Sequence, residues 1–115
     1  SILPGIAPTS AYRCSDGSFV LIGANADSIF KRLCKAMGRE DLADDAALAH
    51  NDGRAARQSW LDGEIEIWTS ARAPSDVLAA LETAEVPASA ARAAVTATVA
   101  VRCRRRLVVR THPPV

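Results

Sequence analysis

The spacing of apolar residues changes period along the chain, and each period predicts a different element. "AYRC" and "FVLIG" are short runs rich in aromatic and β-branched residues, separated by "SDGS". Asp16-Gly17 supplies a positive-φ turn, so the pattern predicts a β-hairpin over Tyr12–Gly23. From Phe30 the spacing becomes helical. Phe30, Leu33, Cys34 and Met37 fall at i, i+3, i+4 and i+7, with Lys31, Arg32 and Lys35 on the opposite face. Asn25 or Asp27 can cap this helix, and Gly38 can close it in a left-handed turn. "REDLADDAALAHNDG" reads as a helical turn followed by a loop, with Asp44 and Asp45 solvated.

A second long helix is expected from about Gly53, with Leu61, Ile65 and Trp68 on one stripe and Trp60 and Ile67 beside it. Gly63 inside it costs about 1 kcal/mol relative to alanine. "TSARAP" breaks that helix. Pro74 suits the first turn of a third, where Ser75 and Asp76 favour the positive end of the dipole and Val77, Leu78, Leu81 and Ala84 form the buried face. The second and third helices should form an antiparallel hairpin against the sheet. Val86-Pro87 then ends the helical pattern. Val95, Ala97, Val99, Val101 and Cys103 share one parity, which argues for a strand, while "ASAARAA" before them can extend as helix.

The expected fold is α+β, a small antiparallel sheet packed against about three helices. Its expected core is Trp60, Trp68, Leu61, Ile65, Val77, Leu81, Phe30, Leu33 and Met37. At 115 residues the chain is one domain in size. Within it, residues 1–89 form the main unit and 90–115 a divergent basic tail belonging to the same compact body.

Charge sharpens that division. Up to Glu85 there are eight basic and thirteen acidic residues, a net −5; from Val86 onward there are six arginines and no acid. Arginines 102, 104, 105, 106 and 110 would attract nucleic acid at low salt. No aromatics are interleaved for base stacking, and a solvated face is the better reading, so no nucleic-acid partner is assigned. No apolar run approaches the roughly 18–20 residues of a membrane span. The N-terminus lacks the basic start and apolar core of a signal peptide, so a cytoplasmic location is expected. Cys14, Cys34 and Cys103 are widely spaced, and the histidines are His50 and His112. That spacing fits free thiols used as small hydrophobes in a reducing compartment, and no metal site is assigned.

"LIGANADSIF" carries the candidate chemistry. An apolar strand meets a small-residue loop, Gly23-Ala24-Asn25-Ala26, and then a helix. Glycine lets backbone amides approach a ligand, and a helix N-terminus behind it points N–H groups at negative charge. A plain strand-to-helix turn with Asn25 as cap explains the same residues, and both readings stand at this level.

The order of these pieces resembles the small domain of the family III CoA-transferases, the group that includes formyl-CoA transferase and carnitine CoA-transferase. The resemblance runs from about Pro4 to Ser89. It is carried by "IAPTSAYRCSDGSFVLIGANADSIFKRLCKAMGREDLADD", by Asn51 with Arg54, and by "WTSARAPSDVLAALETAEVPAS". It implies transfer of coenzyme A from an acyl-CoA to a carboxylic acid through an aspartyl intermediate. It implies a large Rossmann-like domain that carries the nucleophilic aspartate, and two interlocked subunits. It also implies that Gly23, Ala24 and Asn25 act as a lid over the thioester, with a coenzyme A ester as the possible ligand and no resident cofactor.

The chain departs from the pattern in several places. No carboxylate matches the nucleophile, so these residues are not expected to be active alone. Glu85 stands where a glycine commonly precedes Val-Pro, and Ala46 where a proline often follows Asp-Asp. After Ser89 the pattern gives way to the arginine-rich tail. The expectation is a detached small domain, inactive alone, that forms a homo-oligomer or docks onto a separate large domain. The alternatives are a self-assembling or partner-docking module and a weak CoA-ester-binding protein.

Overall fold

The computed structural model describes residues 7–91. The strand expected over Val95–Cys103, the arginine cluster, Cys103 and His112 lie outside the described residues. Strands β1 (Thr9–Arg13) and β2 (Phe19–Gly23) form the hairpin, and β3 (Ala88–Ala90) completes an antiparallel sheet of order β1-β2-β3. The helices are α1 (Asp27–Ala36), α2 (Glu40–Ala43), α3 (Asn51–Ala56), α4 (Gln58–Ser70) and α5 (Pro74–Thr83), with a 3-10 turn at Ala46–Leu48. This is the expected α+β arrangement, with three longer helices and two short ones.

The hairpin turn is built from its own residues. Gly17 has φ +85°, and Asp16 Oδ1 accepts from both the amide (2.9 Å) and the hydroxyl (2.6 Å) of Ser18. Tyr12 pairs with Val20, Ser10 with Ile22, and Ile22 in turn with Ala88, so one sheet face carries Tyr12, Val20 and Ile22. All three are buried. They meet Phe30, Leu33, Cys34 and Met37 of α1, Leu61, Ile65 and Trp68 of α4, and Val77 and Leu81 of α5 in a single core.

Three expectations about the second helix are corrected. It is divided: α3 ends at Ala56, Arg57 leaves helical geometry (φ −113°, ψ 24°), and α4 starts afresh. Side chains on α3 clasp the N-terminal lead-in and the 3-10 turn, whereas α4 must lie along β1, and the break lets each take its own direction. Trp60 is no core residue. It is 46% exposed, because it stands one position off the Leu61–Ile65–Trp68 stripe, and Ile67 is 67% exposed on the same outer side. Nor do the second and third helices pack chiefly on one another: α4 lies on β1, while α5 packs on β2 and β3.

The outer edge of β1 is closed by polar residues of α4. Tyr12 Oη donates to Asp62 Oδ1 (2.6 Å), Thr69 Oγ1 donates to Arg13 O (2.7 Å), and the Arg13 amide donates to Glu66 Oε2 (3.0 Å). Asp62, Glu66 and Thr69 are spaced i, i+4, i+7, so one helical stripe meets an edge strand that would otherwise present unpaired backbone groups. Burial, and then the Asp62 hydrogen bond, raise the Tyr12 pKa and keep it neutral.

α1 and α5 end in the same hydrogen-bonding motif. The Gly38 amide donates to Lys35 O and that of Arg39 to Cys34 O; likewise Glu85 donates to Glu82 O and Val86 to Leu81 O. The left-handed position is Gly38 (φ +72°) in the first and Glu85 (φ +60°) in the second. Glutamate is strained there, and its 3.9 Å pair with Arg32 is between exposed side chains and returns little. Glu85→Gly should therefore stabilise the chain by about 0.5–1 kcal/mol, the relief of strain being partly offset by glycine's larger unfolded-state entropy. A urea melt checks the sign.

Candidate functional site

The loop from Gly23 to Ala26 leaves β2 at the end nearest Pro87 and Pro8. Gly23 donates its amide to Pro87 O and Ala24 to Pro8 O, both at 3.0 Å. Ala24 is fully buried, while Asn25, Ala26 and Asp27 are exposed. Phe30 donates its amide to Ala26 O, the N-cap, so the amides of Asp27, Ser28 and Ile29 before it have no partner within α1. A Cβ added at Gly23 would meet nothing within 4 Å, so no neighbouring protein atom requires glycine there. A shallow depression of about 450 Å³ borders Gly23, walled by Thr9, Leu21, Pro87 and Ser89 among others. The buried hydroxyl of Thr9 in that wall has no hydrogen-bond partner among the described residues. A larger open depression, about 710 Å³, lies at the α3–α4 junction beside Trp60, away from this loop.

Neither of the two expected caps holds α1. Ala26 is the N-cap residue, with no side-chain cap hydrogen bond. Asp27 lies inside the first turn, and its carboxylate is drawn across the fold instead of back onto its own amides. Oδ1 accepts from Arg54 Nη2 at 2.8 Å, and Oδ2 lies 3.0 Å from His50 Nδ1.

Behind the loop sits Arg54, fully buried. Its Nε donates to Ala7 O (3.0 Å), Nη1 to Leu48 O (3.0 Å), and Nη2 to both Asn25 O (2.7 Å) and Asp27. The guanidinium lies 5.1 Å from the centroid of the Phe30 ring, within range of a cation–π contact. Asn51, one helical turn earlier, accepts the Ala7 amide at Oδ1 (3.3 Å). The Asn51 and Arg54 pair thus clasps both sides of Ala7 and reaches the loop. Pattern reading carried no role for Arg54, and its one signal was the fixed spacing from Asn51.

The Arg54 hydrogen bond, followed by that of His50, holds the Asp27 carboxyl below the usual carboxylate range. With the folded pKa lowered, the stabilisation from this tie is present above the unfolded value of about 4 and is lost as pH falls through the folded one. Amide resonances of Asn25 to Ser28 should therefore hold their positions through about pH 4, where an ordinary carboxylate titrates, and move only at lower pH. An acid titration by NMR in which they shift at or above about pH 4 would contradict this.

The remaining candidate groups are chemically quiet. Asp16 is engaged by Ser18, Asp44 is exposed, and Asp45 caps the 3-10 turn through the Ala47 amide. Cys14 and Cys34 are buried free thiols. Burial pushes Cys34 up to about 12, and burial together with the Asp16 charge raises Cys14. In a Cys103→Ser chain at pH 8, neither thiol should react with a chromogenic disulfide reagent until urea unfolds the protein. Prompt release of one equivalent would contradict this. Among the described residues no cluster of three His, Cys, Asp or Glu is arranged to hold a metal, and no helix is long and apolar enough to cross a membrane.

Comparison with known proteins places this geometry. The family described as CoA-transferase family III matches residues 1–114. The chain is 48% identical over 69 residues to the succinyl-CoA–D-citramalate CoA-transferase of Chloroflexus aurantiacus, covering 60% of this chain and 17% of that protein. It is 37% identical over 86 residues to the succinyl-CoA:mesaconate CoA-transferase of Haloarcula marismortui, covering 75% and 21%. Among solved structures, a CAIB/BAIF family protein from Brucella suis superposes with a TM-score of 0.73 at 30% identity, covering 84% of this chain and 25% of that one. The chain therefore spans a quarter or less of the length of these relatives.

Proposed function

This chain belongs to CoA-transferase family III, and we propose that it serves as that enzyme's small domain, with Gly23, Ala24 and Asn25 forming a lid over a coenzyme A ester. The observation that carries the reading is the loop itself. It joins β2 to α1, its Gly23 borders a depression lined in part by Thr9, and the residues from Asn25 to Ser28 at the α1 start are exposed. Amides at a helix start can meet the negative charge that develops on a thioester oxygen, and a covering loop keeps water from an acyl intermediate. The nucleophilic carboxylate comes from outside these residues, on the large domain implied by the family, and these residues alone do not turn over an acyl-CoA.

The test is amide NMR of the ¹⁵N-labelled chain during titration with succinyl-CoA, the donor named for several relatives, and with free CoA. Saturable shifts centred on Gly23 to Asp27 support the lid. Their absence at millimolar ligand reduces the loop to a turn.

A second reading, a docking or self-assembling module, is favoured by one feature. Trp60 and Ile67 stand two helical turns apart on the outer side of α4, and both are exposed. Such a face suits the large domain or a second copy of the chain. Sedimentation that remains monomeric at high concentration, and no binding to a purified large domain from a relative, would dismiss it.

A further inference from the structure

We propose that Arg54 is the positioning residue of the Gly23–Asp27 loop, the single side chain that sets the direction of the amides at the start of α1. Its importance for catalysis rests on the lid reading above; the positioning itself can be judged in the free chain.

Space filling does not explain a buried arginine. Taking a guanidinium out of water is costly, and apolar side chains fill a core at least as well. What arginine adds is a rigid fork of N–H donors that bonds in several fixed directions at once. Here the fork links three segments distant in sequence: the lead-in at Ala7, the 3-10 turn at Leu48, and the loop at Asn25 and Asp27. Only Asp27 among these partners is a carboxylate; the other three are backbone carbonyls, whose positions are what the fork determines.

Gly23 and Ala24 are fixed by their amide bonds to Pro87 and Pro8 and by the burial of Ala24; the half of the loop from Asn25 onward has less to hold it. Ala26 makes no side-chain cap, and Asn25 and Ala26 are exposed. Arg54, by contrast, is held from both sides. Phe30 lies against its guanidinium, and Gly53 lets α3 settle against the Ala47 carbonyl, the approach that brings Arg54 within reach of the loop. His50 adds a second, exposed tie on Asp27.

The deciding experiment is hydrogen exchange, residue by residue, on the chain and on Arg54→Lys. Lysine keeps the charge, but its one nitrogen cannot reach four acceptors that diverge. Exchange at Ala24 and Phe30 should quicken about tenfold or more, as expected where a hydrogen bond's worth of local support is lost, while Val20 and Leu21 in the sheet stay protected. A merely structural arginine would speed exchange everywhere in parallel, and either that result or an unchanged loop overturns the proposal. If Arg54→Lys does not fold, Asp27→Ala, which leaves no side-chain acceptor, decides. It cuts one tie at a half-exposed residue, and faster exchange confined to Ala24 through Phe30 supports positioning, whereas no change or a uniform change refutes it. Succinyl-CoA added to the unaltered chain separates the two ideas. Absent shifts remove the lid, while the exchange pattern still judges Arg54.

Discussion

Gly53→Ala should destabilise this protein by about 3 kcal/mol, at the upper end of what overpacking usually costs. Helix propensity argues the opposite, since glycine inside a helix is about 1 kcal/mol worse than alanine. The tertiary contact decides the sign. A Cβ at Gly53 would overlap the carbonyl oxygen of Ala47 and crowd its carbonyl carbon, and both belong to backbone that the 3-10 turn holds in place. Neither a rotamer change nor a side-chain shift relieves such a clash; α3 would have to lift off the turn, and Arg54 would lose its reach. Gly63 is the internal control. It also lies within a helix, yet a Cβ there meets nothing within 4 Å, so Gly63→Ala should stabilise by close to the full propensity difference, about 1 kcal/mol. Urea midpoints for the two variants should move in opposite directions, and a shift of the same sign in both would refute the argument.

Arg54→Met should cost about 3 kcal/mol, mostly through what it leaves behind. Methionine replaces the apolar stem but stops about where Nε stands, so the space of the guanidinium over Phe30 is left partly unfilled and adds to the loss. The carbonyls of Ala7, Leu48 and Asn25 lose their donor, and buried acceptors left unmade are the costly case. Asp27 is half exposed and can return to water, which keeps the penalty below that of an ion stranded in a core. Arg39→Met provides the contrast. Arg39 makes a two-pronged contact with Asp41 and a third with Glu64, each at 3.0 Å. It does so at a partly exposed site, where such contacts are worth about 1 kcal/mol or less. Equal losses in the two variants, by denaturation with unchanged m-values, would contradict the ranking.

Much of the local structure was legible in the pattern of residues. The hairpin around Asp16-Gly17, the α1 stripe from Phe30 to Met37, its end at Gly38 and the start of α5 at Pro74 all depend on residues within a few positions of one another. Glu85 was legible in a different way, as the residue standing where the family commonly has glycine, and the structure supplies the cause in its left-handed backbone. The loop from Gly23 to Asn25 was recognisable as a place, a strand end meeting a helix start. What holds it was not, because Arg54 is 27 positions from Asp27 and 47 from Ala7.

The sequence by itself determined the hairpin, the buried faces of α1 and α5, and the family. It did not determine β3, since Ala88–Ala90 begin the alanine-rich stretch that the pattern let extend as helix, and pairing with β2 makes them a strand. Only the tertiary structure decided which tryptophan is inside, where the second helix breaks, that a charged arginine belongs in the core, and that Gly53 cannot be alanine. The physical reason is range. Periodicity records which residues share a face of one element, and it carries no term for the angle at which one element meets the next. Trp60 and Trp68 stand eight positions apart on the same helix, and the line along which α4 lies on β1 buries one of them and leaves the other in water.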